Sequence, residues 1–260
     1  MHIFAKERQD KIYELVQKNG AVTTAFLVEK FQVSIETIRR DLLHMEQDGK
    51  ISRVHGGAIE KVNMNPFLKL PERNQAHSEQ KRVLSFRALE FIAEGDIIGI
   101  DSGSTAIAFA QALKEKFSKL TIITHSTDVF NLLRDHEDFS VILCGGYYMR
   151  HENAFYGELT LDMLKTLHIQ KCFIFPSAVS LEYGIWDYQK ELYQVQKQMI
   201  KSSDEIFVLA DSSKFEKKAL LKIDDMKNEY VYVTDQDLSE ELIKIYKENN
   251  ITIHIGGRRK

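Results

Sequence analysis

Apolar residues recur at helical spacing in three short segments at the start of the chain, and beyond a proline-bearing stretch the pattern changes to short β-rich runs alternating with helical ones. From Lys6 to Lys18 the positions Ile12, Leu15 and Val16 make one helical stripe, which Asn19-Gly20 ends with a pair that tolerates left-handed backbone. Thr24 is the expected cap of a second helix through Phe31. After the turn Gln32-Val33, Ser34 is the expected cap of a third that runs to about Gln47. Beyond Asp48-Gly49 the segment KISRVHGGAI places strand-like residues around a glycine pair, a two-stranded wing. Two helices joined by a tight turn and followed by a wing predict a winged helix-turn-helix domain over residues 1–58.

Pro66 and Pro71 lie in a stretch with neither helical nor strand periodicity, so residues 59–77 are expected to be a linker. From 78 to 260 the pattern predicts strands DIIGI, LTIIT, FSVILC, KCFIFP, EIFVLA, EYVYVT and ITIHI. Helices are expected at Ser78–Glu94, Thr105–Lys116, Thr127–Arg134, Leu159–Leu167, Lys190–Ser202 and Leu238–Asn249. Strand and helix in alternation imply βαβ units, hence a mostly parallel α/β domain with helices on both faces of the sheet.

Composition adds constraints. At 43% hydrophobic and 28% charged residues the 260-residue chain has ordinary globular usage. No apolar run approaches the ~18 residues that span a bilayer, and MHIFAKERQDK lacks the apolar core of a secretion signal, so a cytoplasmic protein with no membrane partner is expected. Cys144 and Cys172 sit in apolar runs and read as buried reduced thiols; cysteines and histidines lack metal-ligand spacing, so neither a metal nor a cofactor is expected. The net charge is −3, and over residues 1–60 the basic residues are balanced by acids. Any nucleic-acid binding must therefore rest on where charges point.

On the third helix Ile35, Ile38, Leu42 and Met45 share one face, leaving Glu36, Thr37, Arg40 and His44 opposite and Arg39 at the flank. That polar face suits a major groove: arginine pairs bidentately with guanine, and threonine meets a thymine methyl or a phosphate. Ser34 at the helix start and Arg53 and His55 on the wing complete the candidate DNA contacts. As a structural alternative, the arginines are solvated surface charges.

In the second half, strand DIIGI runs into Asp101, Ser102, Gly103, Ser104 and Thr105 and then a helix. Such a loop presents free backbone N–H groups and the positive end of the helix dipole; the glycine allows close approach, and the hydroxyls add donors, which favours a phosphate or carboxylate. An ordinary capped helix start is the alternative. Other strands end in Thr124-His125, Gly145-Gly146 and Asp211 with Lys214. In parallel sheets ligands bind beyond the carboxyl ends of strands, so these loops are expected to converge. Arg150, in a polar loop after the third strand, is a further candidate for gripping a phosphate.

Residues 33–58, VSIETIRRDLLHMEQDGKISRVHGGA, resemble the DNA-binding signature of the bacterial DeoR family of sugar-responsive regulators: Val33-Ser34, Thr37 to Leu42, Gly49 and His55 to Ala58 match its pattern. The resemblance continues through Asp101 to Thr105, Gly145-Gly146, Gly157, Asp211 to Lys214 and Thr234-Asp235, and so covers nearly the whole chain. It implies that Thr37, Arg39 and Arg40 face DNA. It also implies an effector domain related in fold to ribose-5-phosphate isomerases, which binds a phosphorylated sugar or related metabolite and alters operator affinity. Three positions depart from the family pattern: His125 stands for an Asn, Gln170 for an Asp, and Phe175 for a small Gly, with Phe175 expected to narrow the strand end.

The expected function is that of a DNA-binding repressor of carbohydrate metabolism genes, without catalytic residues, acting on double-stranded operator DNA as a homodimer or homotetramer. The alternative is a sugar-phosphate isomerase or deaminase with a helical accessory domain, using Asp101, Asp211 or His125 as acid or base.

Overall fold

The computed structural model describes residues 5–19, 21–48, 50–54, 57–60 and 69–257. The chain divides into two compact units, Met1–Leu68 and Lys69–Lys260. The first runs α1 (Ala5–Asn19), β1 (Ala21–Thr23), α2 (Thr24–Phe31), α3 (Ile35–Gln47), β2 (Ile51–Val54) and β3 (Gly57–Glu60). Helix α2 is capped one residue earlier than expected. Thr23 ends β1 with extended backbone (φ −88°, ψ 148°), so its hydroxyl, not that of Thr24, accepts the Phe26 N–H at 3.2 Å. Ser34 caps α3, accepting from Thr37 N at 3.2 Å.

The wing is a β2–β3 hairpin, and β1 joins it in an antiparallel sheet of order β1-β3-β2. Three residues are too few to display a period of two, which is why β1 was not foreseen. A Cβ on Gly57 would stand 2.1 Å from the Val22 carbonyl oxygen, so the closeness of β3 to β1 requires glycine.

Ile12, Val16, Leu27, Ile38, Leu42, Met45 and Ile51 form the core of this unit. Ile35, expected among them, is 43% exposed. A side chain in the first turn of a helix leans back toward the N-terminus, and at this position it overhangs the layer beneath. Asp41 is buried on the core side instead. Arg8 Nε donates to its Oδ2 at 2.6 Å and Gln9 Nε2 to its Oδ1 at 3.0 Å, tying α1 to α3.

Of the stretch expected to be linker, residues 59 and 60 belong to β3 and residues 61–68 lie outside the described residues. The second unit opens with a helix in that stretch, α4 (Leu70–Gln75). Pro71 in its first turn and the Glu72 carboxylate, which accepts the Lys69 N–H at 3.2 Å, start α4 where periodicity gave no signal.

Next come α5 (Ser78–Ala88), β4 (Ile97–Ile100), α6 (Ser104–Lys116), β5 (Leu120–Thr124), α7 (Thr127–Leu133) and β6 (Phe139–Leu143). They are followed by β7 (Tyr147–Met149), β8 (Ala154–Tyr156), α8 (Glu158–Lys165), β9 (Ile169–Ile174), β10 (Ala178–Ser180), β11 (Gly184–Asp187) and α9 (Lys190–Lys201). The unit ends with β12 (Ser203–Leu209), β13 (Leu221–Asp224), β14 (Val231–Thr234), α10 (Glu240–Glu248) and β15 (Ile253–Ile255).

Seven parallel strands form the central sheet in the order β15-β14-β12-β9-β4-β5-β6. One face is packed by α5, α6 and α7 through residues such as Leu84, Phe109 and Val129. The other is packed by α8, α9 and α10 through Leu164, Val195 and Tyr246. The chain starts at β4, moves through β5 to β6, then returns to β9 on the other side of β4. The topological switch point therefore lies between β4 and β9, where loops leaving adjacent strands turn to opposite faces and open a crevice.

In the first unit Asp41→Ala removes a carboxylate that Arg8 and Gln9 share. Asp41→Ala leaves a buried guanidinium against α3, and loss of one partner of such a pair costs about 3–5 kcal/mol. Amide exchange on the full chain is expected to show α1 and α3 opening together while the central sheet stays protected; unchanged exchange in α3 would show that the pair contributes nothing to its placement.

Candidate functional site

At the switch point Asp101 follows β4 and is fully buried. Its carboxylate accepts the Phe175 N–H (3.3 Å) beyond β9 and Gln196 Nε2 (2.9 Å) on α9, and it meets His125 Nε2 (3.0 Å) beyond β5. The Nδ1–H of His125 donates to the Phe155 carbonyl at 2.8 Å, so both nitrogens of this buried ring face oxygen acceptors. The imidazole clamps the end of β5 between β4 and β8. Gln196 Nε2 also reaches Asp187 Oδ2 at 3.0 Å, and burial, with Asp101 nearby, pushes the Asp187 carboxyl up.

The loop after Asp101 is built for an acceptor. Ser102 is buried, Gly103 has φ +110°, which L side chains rarely adopt, and α6 begins at Ser104 with no side-chain cap on its first N–H groups. Thr105 is buried, and its Oγ1 has no hydrogen-bond partner among the described residues. An uncapped helix start beside an unpartnered buried hydroxyl presents donors of the kind that attract anions.

A cationic cluster stands nearby. Asp211 caps the short turn Ser212–Lys214, accepting from Ser213 N at 3.2 Å. Burial alone would raise its carboxyl, but Lys214, Ser213, His77 and Lys81 hold it below the usual carboxylate range. Lys214 Nζ donates to the Pro176 carbonyl at 2.9 Å, and burial lowers its pKa against the pull of Asp211, Asp187 and Asp101. Lys81 on α5 is buried and its pKa is lowered to about 8, first by burial and then by Lys214. Arg73 on α4 also acts on both lysines and is ion-paired with Glu152 in the β7–β8 turn.

The remaining expected residues divide. Thr124 is buried, and its hydroxyl accepts the Ser126 N–H at 3.1 Å, shaping the turn into α7. Gly146 is explained by packing, since a Cβ there would come 2.2 Å from Thr160 Oγ1; Gly145 borders open space. Arg150 is exposed in the hairpin turn and, among the described residues, makes no side-chain hydrogen bond or ion pair to the loop residues. Phe175 packs its ring into the core against Phe109 (centroids 5.9 Å), so it does not stand across the strand end, and Gln170 Oε1 accepts the Ile97 N–H at 2.9 Å. Cys144 and Cys172 are free and buried. A surface concavity of about 510 Å³ lined by Leu181, Glu182, Glu216, Met226, Asn249 and Ile251 holds none of the loop residues.

Sequence reading missed Lys81, Arg73, Gln196 and Asp187. Two had a signal: Lys81 lies on the buried face of α5 with Leu84, Ser85 and Ala88, and Gln196 on that of α9 with Leu192, Val195 and Met199. A polar residue at a stripe position is a candidate for a buried polar role. Asp187 and Arg73 fell in segments read as loop and linker.

On the first unit Arg40 and His44 project from α3 into solvent, and among the described residues neither forms an ion pair. Thr37 is half-buried with its hydroxyl 2.9 Å from that of Ser34, and exposed Arg39 pairs with Glu36 at 3.1 Å. Arg53 on β2 is exposed, its backbone N–H held by Glu46 Oε1 at 2.8 Å and its guanidinium 4.0 Å from Glu46 Oε2. His55 and Gly49 lie outside the described residues. No described helix is long and apolar enough to cross a membrane.

Comparison with known proteins covers both units. Residues 8–61 match the DeoR-like helix-turn-helix domain and residues 76–236 the DeoR C terminal sensor domain. The HTH-type transcriptional regulator IolR of Bacillus subtilis is 30% identical over 250 residues, spanning 95% of this chain and 98% of its own. The glycerol-3-phosphate regulon repressor of Escherichia coli is 29% identical over 251 residues, spanning 96% and 98%. Among solved structures, ribose 5-phosphate isomerase A from Neisseria gonorrhoeae aligns with 54% of this chain and 54% of its own at 20% identity and a TM-score of 0.42. The first unit thus carries a DeoR-like helix-turn-helix domain and the second a DeoR C terminal sensor domain, and the chain belongs to the DeoR family of transcriptional regulators.

Proposed function

We propose that this regulator represses carbohydrate metabolism genes as a cytoplasmic homodimer or homotetramer, and that a phosphorylated sugar bound at the β4–β9 crevice controls its hold on operator DNA. The observation that carries the ligand class is the uncapped start of α6, opened by Gly103 and bordered by the Thr105 hydroxyl, which has no hydrogen-bond partner among the described residues. The name of the Escherichia coli relative, a glycerol-3-phosphate regulon repressor, agrees with a phosphate ester.

In this reading Arg40 and His44 approach base edges, while Ser34, Thr37, Arg39, Arg53 and His55 position the domain on the backbone. Ser102, Gly103, Ser104 and Thr105 receive the phosphate, and Asp211 and Lys214 face the remainder of the ligand. Asp101 and His125 hold the loops in register. That role also disfavours an enzyme: a general base needs a lone pair within reach of substrate, whereas the Asp101 oxygens accept from Phe175 and Gln196 and meet His125, and the His125 nitrogens face the Phe155 carbonyl and the Asp101 carboxylate. Allosteric coupling of about 1–3 kcal/mol, or roughly 5- to 150-fold in affinity, is enough to switch an operator between occupied and free.

Two substitutions test the two halves. Arg40→Ala is expected to weaken binding to a genomic fragment selected by the wild-type protein by on the order of 1–3 kcal/mol and to blunt base preference, read by fluorescence anisotropy. Unchanged affinity would exclude α3 as the reader. Ser104→Asp puts a negative charge where the phosphate is received, so it should bind the same fragment normally yet no longer respond to any of a panel of sugar phosphates. A retained response would move the ligand away from α6.

A further inference from the structure

Helix α3 carries two large apolar residues on its surface, Ile35 at 43% exposure and Leu43 at 40%. The core beneath the helix is filled by Ile38, Leu42 and Met45 instead. Single exposed apolar residues are ordinary, so position decides which of them carries meaning. Ile35 is the first residue of α3, next to the Ser34 cap, and its side chain leans toward that end of the helix. In a helix-turn-helix reader the N-terminal residues of the second helix are the ones that reach base edges. Leu43 stands eight residues further on, about 12 Å back along the axis. The surface around Ile35 is cationic: Arg39, one turn on along the same side, is held to the helix by Glu36 at 3.1 Å, and Arg40 projects into solvent. Branching at Cβ leaves isoleucine one strongly preferred rotamer in a helix, so the apolar surface it presents is set before any partner arrives.

Resting on the reading of α3 as the element that enters the major groove, we infer that Ile35 is a specificity-determining residue whose side chain reads the 5-methyl group of a thymine. The side chain has neither donor nor acceptor to offer a phosphate or a polar base edge, so its complement is apolar. Thymine is the one base that presents such a group in the major groove. Against the polar edge of guanine, adenine or cytosine, Ile35 removes water and returns no hydrogen bond, so the other bases are penalised while thymine is favoured. Arg39 and Arg40 draw this end of the helix onto the polyanion, and Ile35 adds selectivity without charge. Ile35 precedes Arg40 by five residues. That is about 7.5 Å of helix, and base pairs stack at about 3.4 Å, so the thymine lies within about three base pairs of the base that Arg40 reads.

Replacing a thymine by deoxyuridine deletes the methyl group and nothing else. Fluorescence anisotropy of the full-length protein on a duplex it has selected from a random pool, with each thymine replaced in turn, reads the contact directly. At least one replacement is expected to weaken wild-type binding about fourfold, the worth of one buried methyl group. Ile35→Ala should bind the thymine duplex at least that much more weakly and should no longer distinguish thymine from deoxyuridine at that position, while Ile35→Val, which keeps the branch at Cβ, should still distinguish them. If Ile35→Ala discriminates at the same thymine as wild type does, or if no thymine methyl matters, the inference is overturned, and a loss of affinity in Arg40→Ala still leaves α3 standing as the reader. If Arg40→Ala and Ile35→Ala both bind as wild type does, α3 is not the reader and the inference falls with that reading. Weaker binding by Ile35→Ala that no thymine explains, together with sedimentation as a smaller species, would assign Ile35 to a contact between copies of the chain and remove it from the DNA.

Discussion

The sensor unit depends on one buried carboxylate. Asp101 is fully enclosed, and an ion in that position is tolerated only when its oxygens are occupied by well-placed donors. The donors come from the loop beyond β9, the loop beyond β5 and the face of α9, so satisfying the charge forces these elements to meet at one end of the sheet. The consequences extend outward. His125 is held in turn by the Phe155 carbonyl, which brings in the β7–β8 hairpin, and Gln196 passes the link to Asp187 at the end of β11. With those ends fixed, the chain beyond Asp101 must turn sharply within two residues, which Gly103 permits, and α6 begins with no side-chain cap on its N–H groups. Beside them stands the Thr105 hydroxyl, which has no hydrogen-bond partner among the described residues.

Balanced charge in the DNA-reading unit has a related origin. Arg8 is spent inside the fold on Asp41, Arg39 is paired with Glu36, and Lys11 with Glu7. A composition that looks neutral therefore hides a division of labour: some arginines hold α3 in place or sit along its rim, and exposed Arg40 and His44 stay available on its outer face.

The alternation of strands and helices was legible because each parallel strand is an apolar run and each helix an amphipathic one, and the loops at strand ends followed from chain order alone. What escaped was short or context-bound. The hairpin β7–β8 and the sheet β10-β11-β13 use strands of three or four residues, too short to show a period of two, and β11 also pairs with a partner distant in sequence, Trp186 standing opposite Lys222. Phe175 looked like an obstruction because its neighbours in space, Phe109 above all, are far away in sequence. Lys81 and Gln196 look like surface residues when read singly and become informative only when placed on the wheel of their helix. Arg150 drew attention for its charge, whereas its neighbour Glu152 makes the contact that reaches α4.

A crevice that selects a phosphate ester must distinguish that ester from its parent sugar. Thermal unfolding of the wild-type protein in the presence of paired sugars and their phosphate esters tests it most directly, since a ligand at ~100 times its dissociation constant stabilises the native state by about 2.7 kcal/mol. The account predicts that one ester raises the melting temperature while its parent sugar does not. If no ester shifts the transition, or if a neutral sugar shifts it as far as its ester, the crevice is not a phosphate site.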